Sequence, residues 1–215
     1  MSIGSLSNKI SVLKIGNKRF YKGINNTKSL NKNQKYREKL AKYGQNPFAI
    51  ILSCADSRVV PEIIFDTNLG NLFVIRVAGN VAGENEIGSI ELALKTNNCS
   101  ILLVLGHTQC FAIETVYNAL KKNSRINKPP LSKVVLSLNK NEIKKNPQDF
   151  NKKYISILSE KNVLAQMKII FKKSIIVQNY IKKNNLNFLG GIYNIFSGKI
   201  KWLGKYSEKN NLPIN

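Results

Sequence analysis

The sequence predicts an α/β fold in which a mainly parallel central β-sheet is flanked by helices. Three short apolar runs, at 48–52, 72–77 and 101–105, have the length and the lack of alternation of strands that are buried on both faces. Helical apolar spacing follows two of these runs, at 86–98 and 112–120, as in strand–helix–strand units. No apolar run approaches the roughly 20 residues of a membrane span, so we expect no membrane segment.

The N-terminal segment, residues 8–45, mixes apolar and basic positions at helical spacing. We therefore expect residues 1–45 to form a helical arm. A chain of 215 residues needs no second core, so this arm is expected to belong to a single domain covering 1–215. The residues of the arm expected to face inward are Leu13, Ile15, Phe20, Tyr36, Leu40 and Tyr43.

The C-terminal half is less regular in its pattern. Residues 121–160 are basic and weakly periodic, which predicts pieces of helix joined by loop. Residues 163–180 have the apolar spacing of one longer helix. The stretch 188–203 predicts two antiparallel edge strands joined by a turn at 196–198, where glycine permits a tight backbone.

The chain is strongly basic, with 34 Lys and Arg residues against 12 Asp and Glu residues and a formal charge of +22. Such an excess can indicate a nucleic-acid or acidic partner. The lysines are scattered among asparagines along the whole chain, however, and do not form one stripe with aromatic residues, so we expect no nucleic-acid partner. Residues 1–20 lack the apolar core and cleavage site of a secretory signal, and we expect a cytoplasmic protein.

The cysteines and the single histidine carry the chemical information. Three cysteines in such a chain favour metal binding or catalysis over a disulfide framework. Cys54 follows the first apolar run in the motif CADSR, and His107 and Cys110 follow the third run in the motif HTQC. Because the carboxyl ends of parallel strands meet at one edge of a sheet, we expect these three side chains to converge.

Two thiolates and one imidazole suit Zn²⁺, and three protein ligands leave a fourth position for water, as in catalytic sites. Cys99 precedes the strand at 101–105, so we do not expect it to be a fourth ligand. Cys110 is expected in the first turn of the following helix, where the helix dipole favours a thiolate. The alternative is that the cysteines are small core residues and His107 a hydrogen-bonded group. The joint pattern favours a metal site.

These motifs resemble those of the β-class carbonic anhydrases, a family with a Cys-x-Asp-x-Arg segment followed much later by His-x-x-Cys. The resemblance covers about 10–120 and 186–203. The stretches that carry it are LKIGNKRF, PFAIILSCADSRVVPEIIFDTNLGNLFVIRVAGN, GSIELAL, ILLVLGHTQC and LGGIYNIFSGKI. It implies a zinc lyase with one Zn²⁺ per chain that reversibly hydrates carbon dioxide to bicarbonate and a proton. It also implies a homodimer or homotetramer with its active sites near the subunit interface.

The resemblance assigns Cys54, His107 and Cys110 to zinc, and Asp56 with Arg58 to the carboxylate–guanidinium pair of the family. Zinc lowers the pKa of bound water from about 15.7 toward 7, which provides a zinc-bound hydroxide. Asp56 can accept the hydrogen of that hydroxide, or can itself take the fourth zinc position unless Arg58 holds it away. The sequence leaves water and Asp56 open as resting ligands. The alternative for Arg58 is a surface ion pair.

One position departs from the family, which commonly has glycine where this chain has Phe111. A ring there would narrow the pocket or favour another small substrate such as carbon disulfide. A second alternative, motivated by the charge, is a non-catalytic carbonic-anhydrase-like protein with a basic binding surface. Ser57, Gly79 and Asn80 are further candidates for shaping the pocket, with ordinary turn residues as the alternative. Gly106 is expected to allow a tight backbone before His107.

Overall fold

A six-stranded β-sheet forms the centre of the computed structural model, which describes residues 6–25, 33–121, 152–207 and 212–214. Much of the basic segment predicted as helix pieces and loop, residues 122–151, lies outside the described residues. In chain order the strands are β1 (Ala49–Ser53), β2 (Leu72–Arg76), β3 (Ile101–His107), β4 (Asn187–Tyr193), β5 (Ile200–Ser207) and β6 (Leu212–Ile214).

The strands lie in the order β2-β1-β3-β4-β5-β6. The first four in this order are parallel, and β5 and β6 continue the sheet in antiparallel fashion. In the register of the sheet, Ser53 lies beside Arg76 on one side and Leu105 on the other, so β1 and β2 end level with each other. The predicted α/β fold, with a mainly parallel sheet and antiparallel C-terminal edge strands, is confirmed.

Helices cover the sheet, and they begin and end close to the predicted positions around the first three strands. They are α1 (Leu6–Tyr21), α2 (Gln34–Tyr43), α3 (Pro61–Ile64), α4 (Glu84–Thr96), α5 (Phe111–Lys121), α6 (Lys152–Lys173) and α7 (Ile175–Lys182), with a 3-10 turn at Ala78–Asn80. Within the described part of the chain, none of these helices combines the length and the apolar character that crossing a bilayer requires.

Alternate residues of the central strands enter two separate cores. In β1, Ile50 and Leu52 pack in the core that also contains residues of α4, α6 and α7. Ala49 and Ile51 point to the opposite face and pack with α1 and the segment after α3. Both sides of β1 are therefore buried, which explains why the sequence of this strand is continuously apolar.

The described part of the N-terminal arm, residues 6–25 and 33–45, is mainly helical as predicted, but of its expected inward residues three are only partly buried and two are exposed. Leu13 is fully buried, whereas Ile15 is 53% exposed and Tyr43 is 71% exposed. Two residues along a helix correspond to about 200° of rotation, so Leu13 and Ile15 lie on nearly opposite sides of α1. Helix α2 contains no buried residue, and it contacts the body of the chain through the Tyr36 hydroxyl, which donates to the Leu69 carbonyl at 2.9 Å.

The single longer helix predicted for 163–180 is two helices, divided at Ser174. The Ser174 hydroxyl accepts a hydrogen bond from the Val177 N–H at 3.1 Å and thereby caps α7. The same hydroxyl lies 2.6 Å from a carboxylate oxygen of Glu91 and donates to it. A serine with both bonds satisfied stabilises a helix start at this point, and the apolar spacing alone gave no sign of it.

Candidate metal centre

Three potential metal ligands lie together at the carboxyl edge of the parallel sheet. Cys54 is the first residue after β1, His107 is the last residue of β3, and Cys110 directly precedes α5. The sulfur atoms of Cys54 and Cys110 are 4.0 Å apart. One ligand atom from each of the three residues lies within 4.8 Å of the other two, and all three residues are buried. The structure thus brings together the three side chains that the sequence motifs single out.

The HTQC turn is held by close packing and by hydrogen bonds to the neighbouring strand. A Cβ at Gly106 would lie 2.7 Å from a methyl group of Val163 and 2.9 Å from one of Ile192, so a larger residue here would require these side chains to shift. The Thr108 N–H donates to the Tyr193 carbonyl at 2.9 Å. The Thr108 hydroxyl in turn accepts from the Ile195 N–H at 3.1 Å. These contacts fix where β3 ends and how the chain turns toward Cys110.

The His107 ring is oriented by its own loop. Its Nδ1 lies 2.9 Å from the Thr108 carbonyl oxygen. Because a carbonyl can only accept, Nδ1 carries a hydrogen, and in the neutral ring Nε2 presents a lone pair. Nε2 is buried and has no hydrogen-bond partner among the described residues. A buried nitrogen without a partner is costly, and a metal ion would satisfy it.

The two site cysteines share a contact that separates their pKa values. The hydrogen bond from Cys110, helped by the neighbouring His107 ring and by backbone N–H groups, lowers the pKa of Cys54 to about 4, although burial opposes the change. The same contact, together with burial, raises the pKa of Cys110. The first thiolate of the pair is therefore on Cys54. A cation with affinity for sulfur would displace the remaining proton.

The expectation that Cys110 lies in the first turn of a helix needs a small correction. Helix α5 begins at Phe111, and the Cys110 carbonyl accepts the first hydrogen bond of that helix, from the Glu114 N–H at 3.0 Å. Backbone N–H groups of Ala112 and Ile113 favour a Cys110 thiolate, as the helix-dipole argument requires. The neighbouring Cys54 sulfur outweighs them.

Asp56 and Arg58 form a bidentate pair beside the three ligands. Arg58 Nε donates to Asp56 Oδ1 at 2.9 Å, and Nη2 donates to Oδ2 at 2.7 Å. The Arg58 backbone N–H adds a third bond to Oδ1 at 2.9 Å. The guanidinium is the main reason that the pKa of Asp56 is lowered to about 2. Asp56 is thus a carboxylate at neutral pH, and its Oδ2 lies 4.0 Å from His107 Nε2.

Arg76 is a contributor to the site that the sequence interpretation missed. It is the last residue of β2, and its guanidinium donates to three consecutive carbonyl oxygens of the CADSR segment. The distances are 3.3 Å to Cys54, 3.2 Å to Ala55 and 2.7 Å to Asp56. A charged residue that ends an apolar strand beside β1 was the only signal available for this role.

The turn after β2 also contacts the site. The Gly79 N–H donates to the Cys54 sulfur at 3.4 Å, and the Gly79 carbonyl accepts from the Asn162 side chain at 2.7 Å. Gly79 and Asn80, which were candidates from sequence, are both buried here. Asn162 belongs to α6, a helix to which the sequence interpretation assigned no part in the site.

Two other candidates lie at the surface. Ser57 is exposed in the turn of the CADSR motif. Phe111 is 74% exposed at the first position of α5. A ring with this much exposure does not fill the space beside the buried sulfur atoms. The narrowing of the pocket that was considered from the sequence therefore finds no support in the structure.

A sequence model of the carbonic anhydrase family matches residues 49–200. Carbonic anhydrase 2 of Mycobacterium tuberculosis is 44% identical over 108 residues, which cover 50% of this chain and 51% of that protein. The chain thus spans about half the length of this relative.

Solved structures support the same relationship. The β-carbonic anhydrase of Coccomyxa, solved in complex with acetazolamide, has a TM-score of 0.68 at 28% identity, over 80% of this chain and 78% of that one. A tetrameric β-carbonic anhydrase from Sordaria macrospora has a TM-score of 0.70 at 22% identity, over 81% and 89%. Since the matched stretch runs from β1 into β5 and includes all four parallel strands, this chain belongs to the β-class carbonic anhydrase family.

Proposed function

We propose that this protein catalyses the reversible hydration of carbon dioxide to bicarbonate and a proton, using one Zn²⁺ per chain held by Cys54, His107 and Cys110. The observation that carries the proposal is the convergence of three buried ligand atoms within 4.8 Å at one edge of the sheet. Membership of the carbonic anhydrase family supports the choice of reaction.

The donor set fits zinc. Two sulfurs and one imidazole nitrogen are ligands of the borderline-soft class that Zn²⁺ prefers, and three protein ligands are the number found in catalytic zinc sites. The partnerless Nε2 of His107 is the atom that such an ion would bind. When bound, zinc acts as a Lewis acid that lowers the pKa of a coordinated water toward about 7, so that a nucleophile is available near neutral pH.

Asp56 and Arg58 act on the orientation of the reactants. Asp56 is ionised, and its Oδ2 lies 4.0 Å from His107 Nε2, so it would be placed to accept a hydrogen bond from a water held at the metal and to orient that water toward carbon dioxide. Arg58 binds both carboxylate oxygens, and we infer that this grip keeps Asp56 from becoming a metal ligand. Water would then take the fourth position on a bound zinc. His107 is the only histidine of the chain, so the product proton leaves through water, buffer or an acidic group.

The assembly we propose is a homodimer or homotetramer whose subunit is one domain, residues 1–215. Two observations support an assembly: the related Sordaria macrospora protein is tetrameric, and several large apolar side chains are exposed on the single chain. Among the latter are Ile63, Leu92 and Phe196. Sedimentation of the purified protein measures the number of subunits, and a monomer at micromolar concentration would contradict the proposal. The cytoplasmic location stays a prediction from the sequence.

The decisive experiment combines metal analysis with a hydration assay on the purified chain. We expect about one zinc per chain and, by stopped-flow measurement at mildly alkaline pH, carbon dioxide hydration well above the buffer rate. A protein that is fully loaded with zinc and has no activity above buffer would refute the proposal. Carbon disulfide is the comparison substrate, and faster turnover of carbon disulfide than of carbon dioxide would also refute it.

A further inference from the structure

Two buried amides of α6 have no part in the chemistry proposed above. Asn162 is fully buried and Gln166 is 1% exposed. The two are four residues apart and so lie on the same side of the helix, among apolar neighbours such as Val163 and Met167. A buried amide is costly unless its hydrogen bonds are made, so their partners indicate what they are for.

Their hydrogen bonds lead to the turn beside the candidate metal centre. The Gln166 side-chain oxygen accepts from the Ala82 N–H at 2.8 Å, and its amide nitrogen donates to Asn162 Oδ1 at 3.0 Å. Asn162 Nδ2 then donates to the Gly79 carbonyl at 2.7 Å. The pair therefore holds the backbone at two points, residue 79 and residue 82, and connects α6 to the turn between β2 and α4.

The conformation of this turn is one that the backbone does not favour by itself. Gly79 has φ +68° and Asn80 has φ +47°, so two consecutive residues lie in the left-handed region, and the second is not glycine. In this conformation the Gly79 N–H points at the Cys54 sulfur, 3.4 Å away. The contact to the sulfur thus depends on a turn that outside groups must hold in place.

We propose that Asn162, supported by Gln166, is a positioning residue that holds Gly79 so that its N–H bonds to the Cys54 thiolate. The inference rests on the proposed metal site and adds a tuning element to it. An N–H donor bonded to a thiolate draws electron density away from the sulfur and fixes its direction. The donor thereby sets how strongly, and along which line, Cys54 donates to a bound metal.

The test compares Asn162→Ala with Ser159→Ala in the full-length protein. Ser159 is a suitable control because it is buried in the same helix, yet its hydroxyl donates only within that helix, to the Ile155 carbonyl at 2.9 Å. Zinc affinity is measured by competition with a chromophoric chelator. The thiolate-to-metal charge-transfer band is measured on the cobalt-substituted protein, since it reports the electron density on sulfur and a merely structural role would not move it.

We expect Asn162→Ala to weaken zinc binding by roughly 10- to 100-fold, the usual cost of losing a group that orients a ligand. We also expect its charge-transfer band to move to lower energy, because a sulfur without its N–H donor is easier to oxidise. Ser159→Ala should change neither. An Asn162→Ala protein with the affinity and the band of the wild type would overturn the inference.

Gln166→Met is the second variant, since methionine keeps the length of the side chain but cannot donate to Asn162. It should shift the band in the same direction by a smaller amount, and an unchanged band would count against the inference. Failure of both variants to fold would show that the pair is structural, and would also overturn it. The proposed function fails separately, if the wild-type protein neither binds zinc nor hydrates carbon dioxide.

Discussion

Each end of the parallel sheet contains buried cysteine. The pKa values of Cys54 at the carboxyl end and Cys99 at the amino end are shifted in opposite directions. At the carboxyl end, Cys54 lies 4.0 Å from Cys110, and the hydrogen bond from Cys110 lowers the pKa of Cys54 to about 4. At the amino end, Cys99 precedes β3 and donates to the Pro47 carbonyl at 3.2 Å, while burial raises its pKa to about 12.

The difference between the ends lies in the neighbours of each sulfur. Both Cys54 and Cys99 are 4% exposed, so burial alone does not decide which one becomes a thiolate. Cys54 has donors around it: the Cys110 thiol and the Gly79 N–H. The neighbour of Cys99 is a carbonyl oxygen, which accepts the thiol hydrogen and stabilises the neutral form. At similar exposure, Cys54 and Cys99 therefore differ in pKa because hydrogen-bond donors converge on Cys54, whereas Cys99 contacts an acceptor.

The largest effect is expected from replacing the proposed zinc ligands at the carboxyl end of the sheet. Cys54→Ser and His107→Asn each remove one of three proposed ligands, so we expect zinc affinity to fall by more than about 100-fold, since even groups that only orient ligands cost 10- to 100-fold. Hydration should fall to the buffer rate. Cys99→Ser is the matched change at the amino end, and it should keep one zinc per chain. The zinc content of each variant after dialysis tests this prediction. Stoichiometric zinc in Cys54→Ser would contradict the assignment of Cys54 as a ligand.

The next largest effect separates the orienting role of Asp56 from the binding of the metal. Asp56→Asn removes the negative charge and one acceptor from the pair with Arg58 but leaves the three ligand atoms in place. We expect zinc to stay bound and turnover to fall by roughly 100-fold, the low end of what a positioned proton acceptor contributes. Stopped-flow assays on protein of known zinc content measure this. Full activity in Asp56→Asn would show that the carboxylate has no role.

A smaller effect is expected at the residue that the sequence did not reveal. Arg76→Lys keeps the charge at the end of β2, but one ammonium cannot reach the carbonyls of Cys54, Ala55 and Asp56 as the guanidinium does. We expect turnover to fall by about 10-fold with little loss of zinc. Turnover equal to that of the wild type would mean that the CADSR segment keeps its position without this contact.

The contrast between the ends also shows what the sequence could predict. Cys54, His107 and Cys110 each stand at or just after the end of an apolar run, and the carboxyl ends of parallel strands share one edge, so the sequence predicted that they can meet; the pairing of β1 with β3 brings them together. The expectation that Cys99 is not a fourth ligand followed in the same way, because Cys99 precedes β3. Asp56 and Arg58 are two residues apart, and their pairing is a local contact that the sequence also predicted.

The supporting residues could not be predicted in this way. Arg76 reaches Cys54 because β2 lies beside β1 in a particular register, and a single sequence does not determine strand order. Asn162 and Gln166 lie on a helix that follows a long segment without clear periodicity, and their partners are more than 80 residues away in the chain. Polar residues within an apolar helix face were the available signal, but they do not indicate which turn they bind.

The smallest effect is expected at Phe111, which the sequence suggested as an obstruction of the pocket but which the structure places at the surface. Phe111 follows Cys110 directly, yet its ring is 74% exposed, so removing it opens no space beside the buried ligands. We expect Phe111→Ala to leave zinc content unchanged and the second-order rate constant for carbon dioxide within about twofold, since exposed side chains away from special contacts usually have small effects. Stopped-flow rates for variant and wild type, measured on the same zinc-loaded preparations, test this. A tenfold or larger increase in this rate constant would show that the ring obstructs the path of the substrate. The first turn of α5 would then also belong to the active site.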